Sequence, residues 1–388
     1  MQSLSWFEML SSQIDEDKIV ELACELIAKK TVNPPGNECL VKDVLIKYLN
    51  ELEAEIKIYE PSPGRCNILG YIGKGEPKVA IISHMDVVPP GEGWEFDPFS
   101  PQVIEGKIYG RGALDDKGPF AASWAAVKAI LSANLSFKGT IILGAVADEE
   151  RGSENGMEYL LKKGFSSDFC IIPDGGKLNQ LVIGEKGRME VCLQTKGKSA
   201  HASQPEKGEN AIYKMIKYLS HLKNLKIEGQ YHHLFTLPTI NLGEIQGGQA
   251  PNVVPDNCTA TLDIRYPLGL EEKDILHQLF SLASQCGIKI TITPKSSIKP
   301  HLIDTKHSFI KLFKNIAGKL KLNLDLTTQG GITLAKNLFF SGIPSVVHSP
   351  AVESVAHQAN EYVEIKNLIL CAKLWAGVIY SLLQEPVK

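Results

Sequence analysis

The 388-residue sequence has no surplus of either charge. Lys and Arg total 41 against 44 Asp and Glu, a net charge of −3. So balanced a chain carries no electrostatic footprint for nucleic acid or an anionic membrane surface. It also lacks a long apolar run. The longest, Leu368 to Leu383, is broken by Lys373. A membrane span needs about 20 apolar residues, so a buried helix is expected there. The opening MQSLSWFEMLSSQIDEDK has no basic segment followed by an apolar core, so no secretory leader is expected. The eight cysteines (Cys24, Cys39, Cys66, Cys170, Cys192, Cys258, Cys286 and Cys371) form no CxxC pair. Such scatter predicts reduced, buried thiols acting as small hydrophobes, in a cytoplasmic protein. Low-complexity segments and fixed-period repeats are missing too, which excludes solenoids and propellers.

What is present is an ordinary globular composition, 44% hydrophobic and 22% charged. Helix-like and strand-like patterns alternate in the first half. Asp17–Lys30 has helical periodicity, and Pro34-Pro35-Gly36 stops the pattern. Val79–Ser83, Thr140–Ala147 and Cys170–Ile172 are short apolar runs that read as buried strands. Pro119–Asn134 is Ala-rich and predicts a helix. This alternation argues for an α/β layered fold, in which ligands sit beyond the carboxyl ends of strands. Residues 188–298 read differently: the order β-α-β-β-α-β is a ferredoxin-like α+β unit. The expected organisation is one domain from 1–187 and 299–388, interrupted by an inserted domain at 188–298.

Each buried strand delivers an acid or a His just past its end. His84 and Asp86 follow Val79–Ser83. At spacing i, i+2 they share a face, and a metal-bound His usually gives its second ring N–H to an acceptor such as Asp86. Glu149-Glu150 follow Thr140–Ala147, and Asp174 follows Cys170–Ile172. Asp115-Asp116 lie between glycines, and His357 lies in AHQANEY. Singly, each has a plain explanation as a cap, a turn or a satisfied His. Together, the two His and four of these acids (Asp115, Glu149, Glu150 and Asp174), without Cys, suit zinc, with manganese or cobalt as alternatives. A two-metal site needs terminal ligands, one bridging carboxylate and a general base, and this set fills that count.

Ser83 to Ala122, SHMDVVPPGEGWEFDPFSPQVIEGKIYGRGALDDKGPFAA, resembles the signature of the M20 metallopeptidase family. The resemblance continues through ADEERGSENG, PDGG, EKGRM, GKSAHASQPEKGENAI, GGQAPNVVPDN, DIRYP, QGGIT and AHQANEYV, in order along nearly the whole chain. It implies a zinc-peptidase-like α/β catalytic domain with an inserted ferredoxin-like lid or dimerisation domain, and two divalent metals. Residue by residue, His84 resembles a terminal ligand oriented by Asp86, and Asp115 the bridge. Glu149 resembles the general base and Glu150 a ligand of the second metal. Asp174 and His357 resemble the remaining ligands. In the inserted domain, His201 resembles an oxyanion donor, Asn252 a substrate-contacting amide and Arg265 the clamp on a substrate carboxylate. His348, outside the motif, reads as structural or as lining the site.

The implied reaction is metal-assisted amide hydrolysis on a small peptide or an N-acyl amino acid. DDKGP, the PDG turn and HASQPEKGENAI resemble the dipeptidase branch. The desuccinylase branch usually has Met at the place of Asp116 and Glu at the place of Asp174. Dipeptide or short-peptide hydrolysis is therefore favoured over deacylation of the succinyl-diaminopimelate or acetylornithine type. The short inserted domain resembles dimerising members, in which the lid His reaches the partner's site. The expectation is a cytoplasmic homodimer with no nucleic-acid or membrane partner.

Overall fold

The computed structural model describes residues 5–353 and 355–384. They form two compact units: Met1–Ile183 with Ile303–Thr327 and Ile332–Lys388, and Gly184–Leu302 with Thr328–Gly331.

The first unit is built on a mixed sheet. Its strands run in the order Glu55–Tyr59, Asn67–Lys74, Gly139–Val146, Lys78–His84, Phe169–Ile172, Ser345–Val347 and Gln180–Glu185. Lys78–His84 pairs in parallel with Gly139–Val146 and with Phe169–Ile172, and the latter in parallel with Ser345–Val347. Gly139–Val146 and Phe169–Ile172 are buried at every residue. That is why they read as continuous apolar runs rather than alternating ones: both faces are covered.

Helices supply the cover. Asp15 caps Glu16–Ile27 by accepting from the Lys18 N–H at 3.1 Å. Ile19, Leu22, Ala23, Leu26 and Ile27 form its buried stripe at helical spacing. Lys117–Ser132 packs against it and against Ile365–Leu382. The small Ala side chains of Lys117–Ser132 permit burial nearly all round. Ile365–Leu382 is long and apolar enough for a membrane by length and composition, but 72% of it is buried in the fold. A small sheet of Gln102–Ile104, Lys107–Tyr109 and Tyr362–Glu364 lies in the same unit.

The second unit has a four-stranded antiparallel sheet, ordered Thr239–Gly247, Asn257–Tyr266, Gly187–Lys196 and Ile290–Ile298. Helices Ala211–Leu222 and Glu272–Gln285 bury Met215, Tyr218, Ile275 and Leu279 in a core with Val191, Leu193, Leu262 and Ile264. Strand Gly187–Lys196 alternates buried and half-buried residues, the period of a sheet covered on one face.

One expectation needs correcting. Cys39 and Cys66 are not separate thiols but a disulfide, with Cα atoms 4.8 Å apart. The short turn Glu38–Val41 and the loop before Asn67–Lys74 lie side by side, linked by the Cys39 N–H to the Gly64 carbonyl at 3.0 Å. Their separation of 27 residues gives no sign of this in the sequence. The other six cysteines are free, with Cys170, Cys258, Cys286 and Cys371 buried.

Candidate metal centre

Three neighbouring parallel strands end at one place. His84 closes Lys78–His84; Glu149 and Glu150 follow Gly139–Val146; Asp174 follows Phe169–Ile172. The Met85 N–H donates to the Val146 carbonyl at 2.8 Å, which holds the first two ends level. Asp115 sits on the turn between Lys107–Tyr109 and helix Lys117–Ser132. Gly118 makes that turn possible, because a Cβ there would lie 2.1 Å from the Ala113 carbonyl. His357 comes from the loop before Tyr362–Glu364, at a φ of 65°.

Asp115 is the hub. Its Oδ1 lies 2.8 Å from His84 Nε2 and its Oδ2 3.1 Å from His357 Nε2. His357 Nε2 is also 3.1 Å from Glu150 Oε1. Ligand atoms of His84, Asp115 and Asp174 lie within 4.8 Å of one another, as do those of Asp115, Glu150 and His357. The two triads therefore share Asp115. The donors are imidazole nitrogens and carboxylate oxygens with no thiolate, the set that suits zinc, manganese or cobalt.

The charges are out of balance. Desolvation pushes the Glu149 carboxyl well up, and Asp174, Glu150 and Asp115 add to the rise against His84. Asp116 is pushed up by burial, with Asp174 and Asp115 adding to it. Its Oδ1 is buried without a hydrogen bond, and its Oδ2 accepts from the His84 N–H at 3.3 Å. Burial opposes the charged form of His84, yet Asp115 and Asp86 hold its pKa well above the usual value. Contacts with Asp115 and Glu150 raise His357 to about 10, against some desolvation. A crowd of buried carboxylates pushed towards their neutral forms lacks positive charge, and divalent cations would supply it.

Asp86 holds the site together in two directions. His84 Nδ1 is 2.9 Å from the Asp86 carbonyl oxygen and 3.5 Å from its carboxylate. The carboxylate accepts from the N–H of Glu149 at 3.0 Å, the N–H of Glu150 at 3.1 Å and Asn33 Nδ2 at 2.8 Å. Beneath it, Asp148 adopts a φ of 65°. Its carboxylate accepts from Arg65 Nη2 at 2.9 Å and from both nitrogens of Asn155. Arg65 also grips the buried Glu38 through two 2.7 Å bonds. This fork-on-fork pairing is rigid because both bonds must be kept together.

The other three sequence candidates belong to the second unit. His201 is exposed, and its Nδ1 accepts from the Ser203 N–H at 3.1 Å. The neutral ring therefore carries its proton on Nε2, the form that donates outward. Asn252 is adjacent, its carbonyl accepting from the Ala202 N–H at 3.0 Å. Arg265 on strand Asn257–Tyr266 is engaged by Asp263, with Nε to Oδ1 at 2.6 Å. His348 is a core residue: Nε2 donates to the Leu178 carbonyl at 3.0 Å and Nδ1 accepts from Trp375 at 3.1 Å. Burial lowers its pKa to about 4.

Comparison with known proteins places this arrangement. A sequence profile of peptidase family M20/M25/M40 matches residues 80–381. The chain belongs to this family. It is accordingly an M20 hydrolase, and members of the family use divalent metals. Succinyl-diaminopimelate desuccinylase from Orientia tsutsugamushi (strain Boryong) is 26% identical over 97% of this chain and 99% of its own. The Rickettsia felis protein of the same name is 29% identical over 93% of this chain and 98% of its own. Among solved structures, a tripeptidase from Staphylococcus aureus superposes with a TM-score of 0.79 at 25% identity, over 96% of this chain and 100% of that one. Human carnosine dipeptidase 1 shares the fold, with a TM-score of 0.71 at 18% identity, covering 98% of this M20 chain and 100% of its own.

Residues given no role in the sequence reading also surround this site. They are Asn33, Glu38, Arg65, Asp148 and, through the bonds set out below, Arg111 and Glu361. Asn33 and Arg111 stand in stretches rich in Pro or Gly. That composition signals a turn but names no partner.

Proposed function

We propose that this chain is a dinuclear-metal-dependent hydrolase that cleaves the amide bond of a dipeptide or short peptide. One observation carries the proposal: the two oxygens of Asp115 face one His each, with Glu149 alongside. In this reading, His84, Asp115 and Asp174 hold one divalent cation, and Asp115, Glu150 and His357 hold the other. When bound, the cations lower the pKa of water, towards about 7 for zinc, and polarise the scissile carbonyl.

The chain's own residues do the rest. Glu149 takes the proton of the attacking water on a carboxylate oxygen and passes it to the leaving amine. Asp86 keeps Glu149 and Glu150 in place through their backbone N–H groups. The second unit acts as a lid: Nε2 of His201 donates to the developing oxyanion, and Asn252 contacts the substrate amide. Arg265 binds the substrate's terminal carboxylate as a planar fork, already oriented by Asp263. Losing one oxyanion donor costs roughly 10²–10³ in rate.

Asp116 and Asp174 favour the peptide substrate. The alternative, an N-acyl amino acid deacylase, draws on the similarity to the two desuccinylases across nearly their full lengths. Metal-reconstituted protein should hydrolyse free-amine dipeptides faster than N-succinyl or N-acetyl amino acids. A reversed preference moves the chain to the deacylase reading and leaves the roles of Glu149 and the ligands unchanged.

We further propose a homodimer through the second unit, with His201 supplied to the partner's site. Strand Thr239–Gly247 is the edge of its sheet and exposed along almost its whole length. Leu242 and Ile245 on it, and Tyr213 and Ile216 on helix Ala211–Leu222, expose their apolar side chains. Unpaired edge groups and adjoining apolar surface suit pairing with a second copy. Ile245→Lys should shift the protein from dimer to monomer by sedimentation and lower kcat at least tenfold. A monomeric wild type of full activity sinks this.

A further inference from the structure

Four donors of one turn converge on a single side chain that comes from a distant part of the chain. Glu361 is fully buried. Its Oε1 accepts from the N–H groups of Gly112 at 3.1 Å, Leu114 at 2.9 Å and Asp115 at 3.1 Å. Its Oε2 accepts from Arg111 Nη1 at 2.5 Å. Its main-chain carbonyl takes the Gly110 N–H at 3.0 Å, and Tyr362 continues the pairing with Tyr109. Glu361 therefore closes a nest of N–H groups, which with Arg111 offsets part of the burial that raises its carboxyl to about 7.

The same side chain stands at the end of the loop that carries His357. Asn360, with a φ of 58°, accepts the Glu95 N–H on its side-chain oxygen at 2.9 Å. Arg111 extends the anchor: Nη2 donates to the Pro90 carbonyl at 3.2 Å, and the guanidinium lies 5.2 Å from the centre of the Trp94 ring. Three segments (residues 90–95, 110–115 and 357–361) thus meet on the Glu361–Arg111 pair.

We infer that Glu361 is a positioning residue of the metal centre, setting the separation between Asp115 and His357 and hence the affinity for the cation they share with Glu150. The inference rests on the ligand assignment proposed above. Glu361 belongs to neither ligand triad. It holds Asp115 by that residue's own N–H, and it is four residues from His357 in the chain. A buried carboxylate is costly to keep. It is retained here with four donors, three on Oε1 and one on Oε2, as a ligand-orienting group requires.

The test is cation affinity rather than turnover. Glu361→Gln, Glu361→Asp and His84→Ala are titrated with zinc against a chromophoric chelator, and circular dichroism and melting temperature are recorded for each. Glu361→Gln should weaken the second equivalent of zinc by roughly 10–100-fold, the usual effect of losing a ligand-orienting partner. Glu361→Asp should recover part of this loss. kcat measured at limiting zinc should fall in proportion to occupancy and return towards wild type at saturating zinc, with KM unchanged. A purely structural role would lower the melting temperature and leave zinc affinity as in the wild type, which overturns the inference. Should Glu361→Gln fail to fold, Arg111→Lys carries the same prediction at smaller amplitude. His84→Ala separates the two levels. If it leaves zinc binding intact, the ligand assignment fails; if it abolishes binding while the Glu361 variants bind normally, only the positioning role fails.

Discussion

Glu149→Gln will abolish most turnover while leaving the fold in place. A positioned general base contributes roughly 10²–10⁴ in rate, so kcat should fall by that factor, with KM little changed. Gln keeps the size and shape of Glu but cannot take a proton from water. The loop should not move, because Asp86 holds residue 149 by its backbone N–H at 3.0 Å, a bond the substitution keeps. Stability should hold or rise in the metal-free protein. The Glu149 carboxyl is pushed up by desolvation and by Asp174, Glu150 and Asp115. An acid whose folded pKa lies above its unfolded value destabilises the fold as pH rises past the unfolded value. The neutral amide removes that penalty. Stopped assays with the best substrate, together with thermal melts in chelator at pH 8, check both halves. Turnover at the wild-type rate refutes the proposed base.

Metal removal is expected to have the second large effect. Dialysis against a strong chelator should bring activity below detection, and zinc, manganese or cobalt should restore it. The pH dependence of reloading follows from the two His ligands. In the metal-free chain, Asp115 and Glu150 raise His357 to about 10, and Asp115 and Asp86 raise His84 as well. A value of about 10 keeps the His357 ring protonated at neutral pH, and His84 is pushed in the same direction. Each must shed its proton before its nitrogen can coordinate. Apparent affinity should rise from pH 6 to pH 9, with one to two protons released per chain. Calorimetry in buffers of different ionisation enthalpy counts them, and zero release contradicts the assignment. The metal-free fold shows the opposite trend. The His357 interaction is fully present below the ordinary imidazole value of 6.5 and is lost as pH rises through about 10. Bound metal offsets that loss: at free metal 100-fold above its Kd, one site adds about 2.7 kcal/mol.

The legible part of the site was the part that lies along the chain. His84, Glu149-Glu150 and Asp174 each stand just past a short apolar run, and sheet geometry carries such positions to one end. The inserted α+β unit was visible because its periodicity changes from that of strands covered on both faces to strands covered on one. The residues that hold the ligands were not visible. Glu361 bonds to Asp115 across 246 positions and Asn33 to Asp148 across 115. Neither pair has a local pattern, since a hydrogen bond between loops depends on where the strands place those loops.

Asp86 illustrates the boundary. Its spacing from His84 pointed to a carboxylate orienting the imidazole. In the fold the nearer contact is its carbonyl oxygen, while the carboxylate turns to the N–H groups of Glu149 and Glu150. The Cys39–Cys66 disulfide is a second case, because nothing in the spacing of eight scattered cysteines selects one pair.

By itself, then, the sequence determined the element order and the strand-end acids and histidines. These follow from local preferences and hydrophobic periodicity, which act over a few residues. Tertiary structure alone decided that Asp115 faces both His84 and His357, that Arg65 and Glu361 lock the loops beneath and beside it, and that Cys39 meets Cys66. Those contacts join segments whose approach is set by packing the whole sheet and its helices.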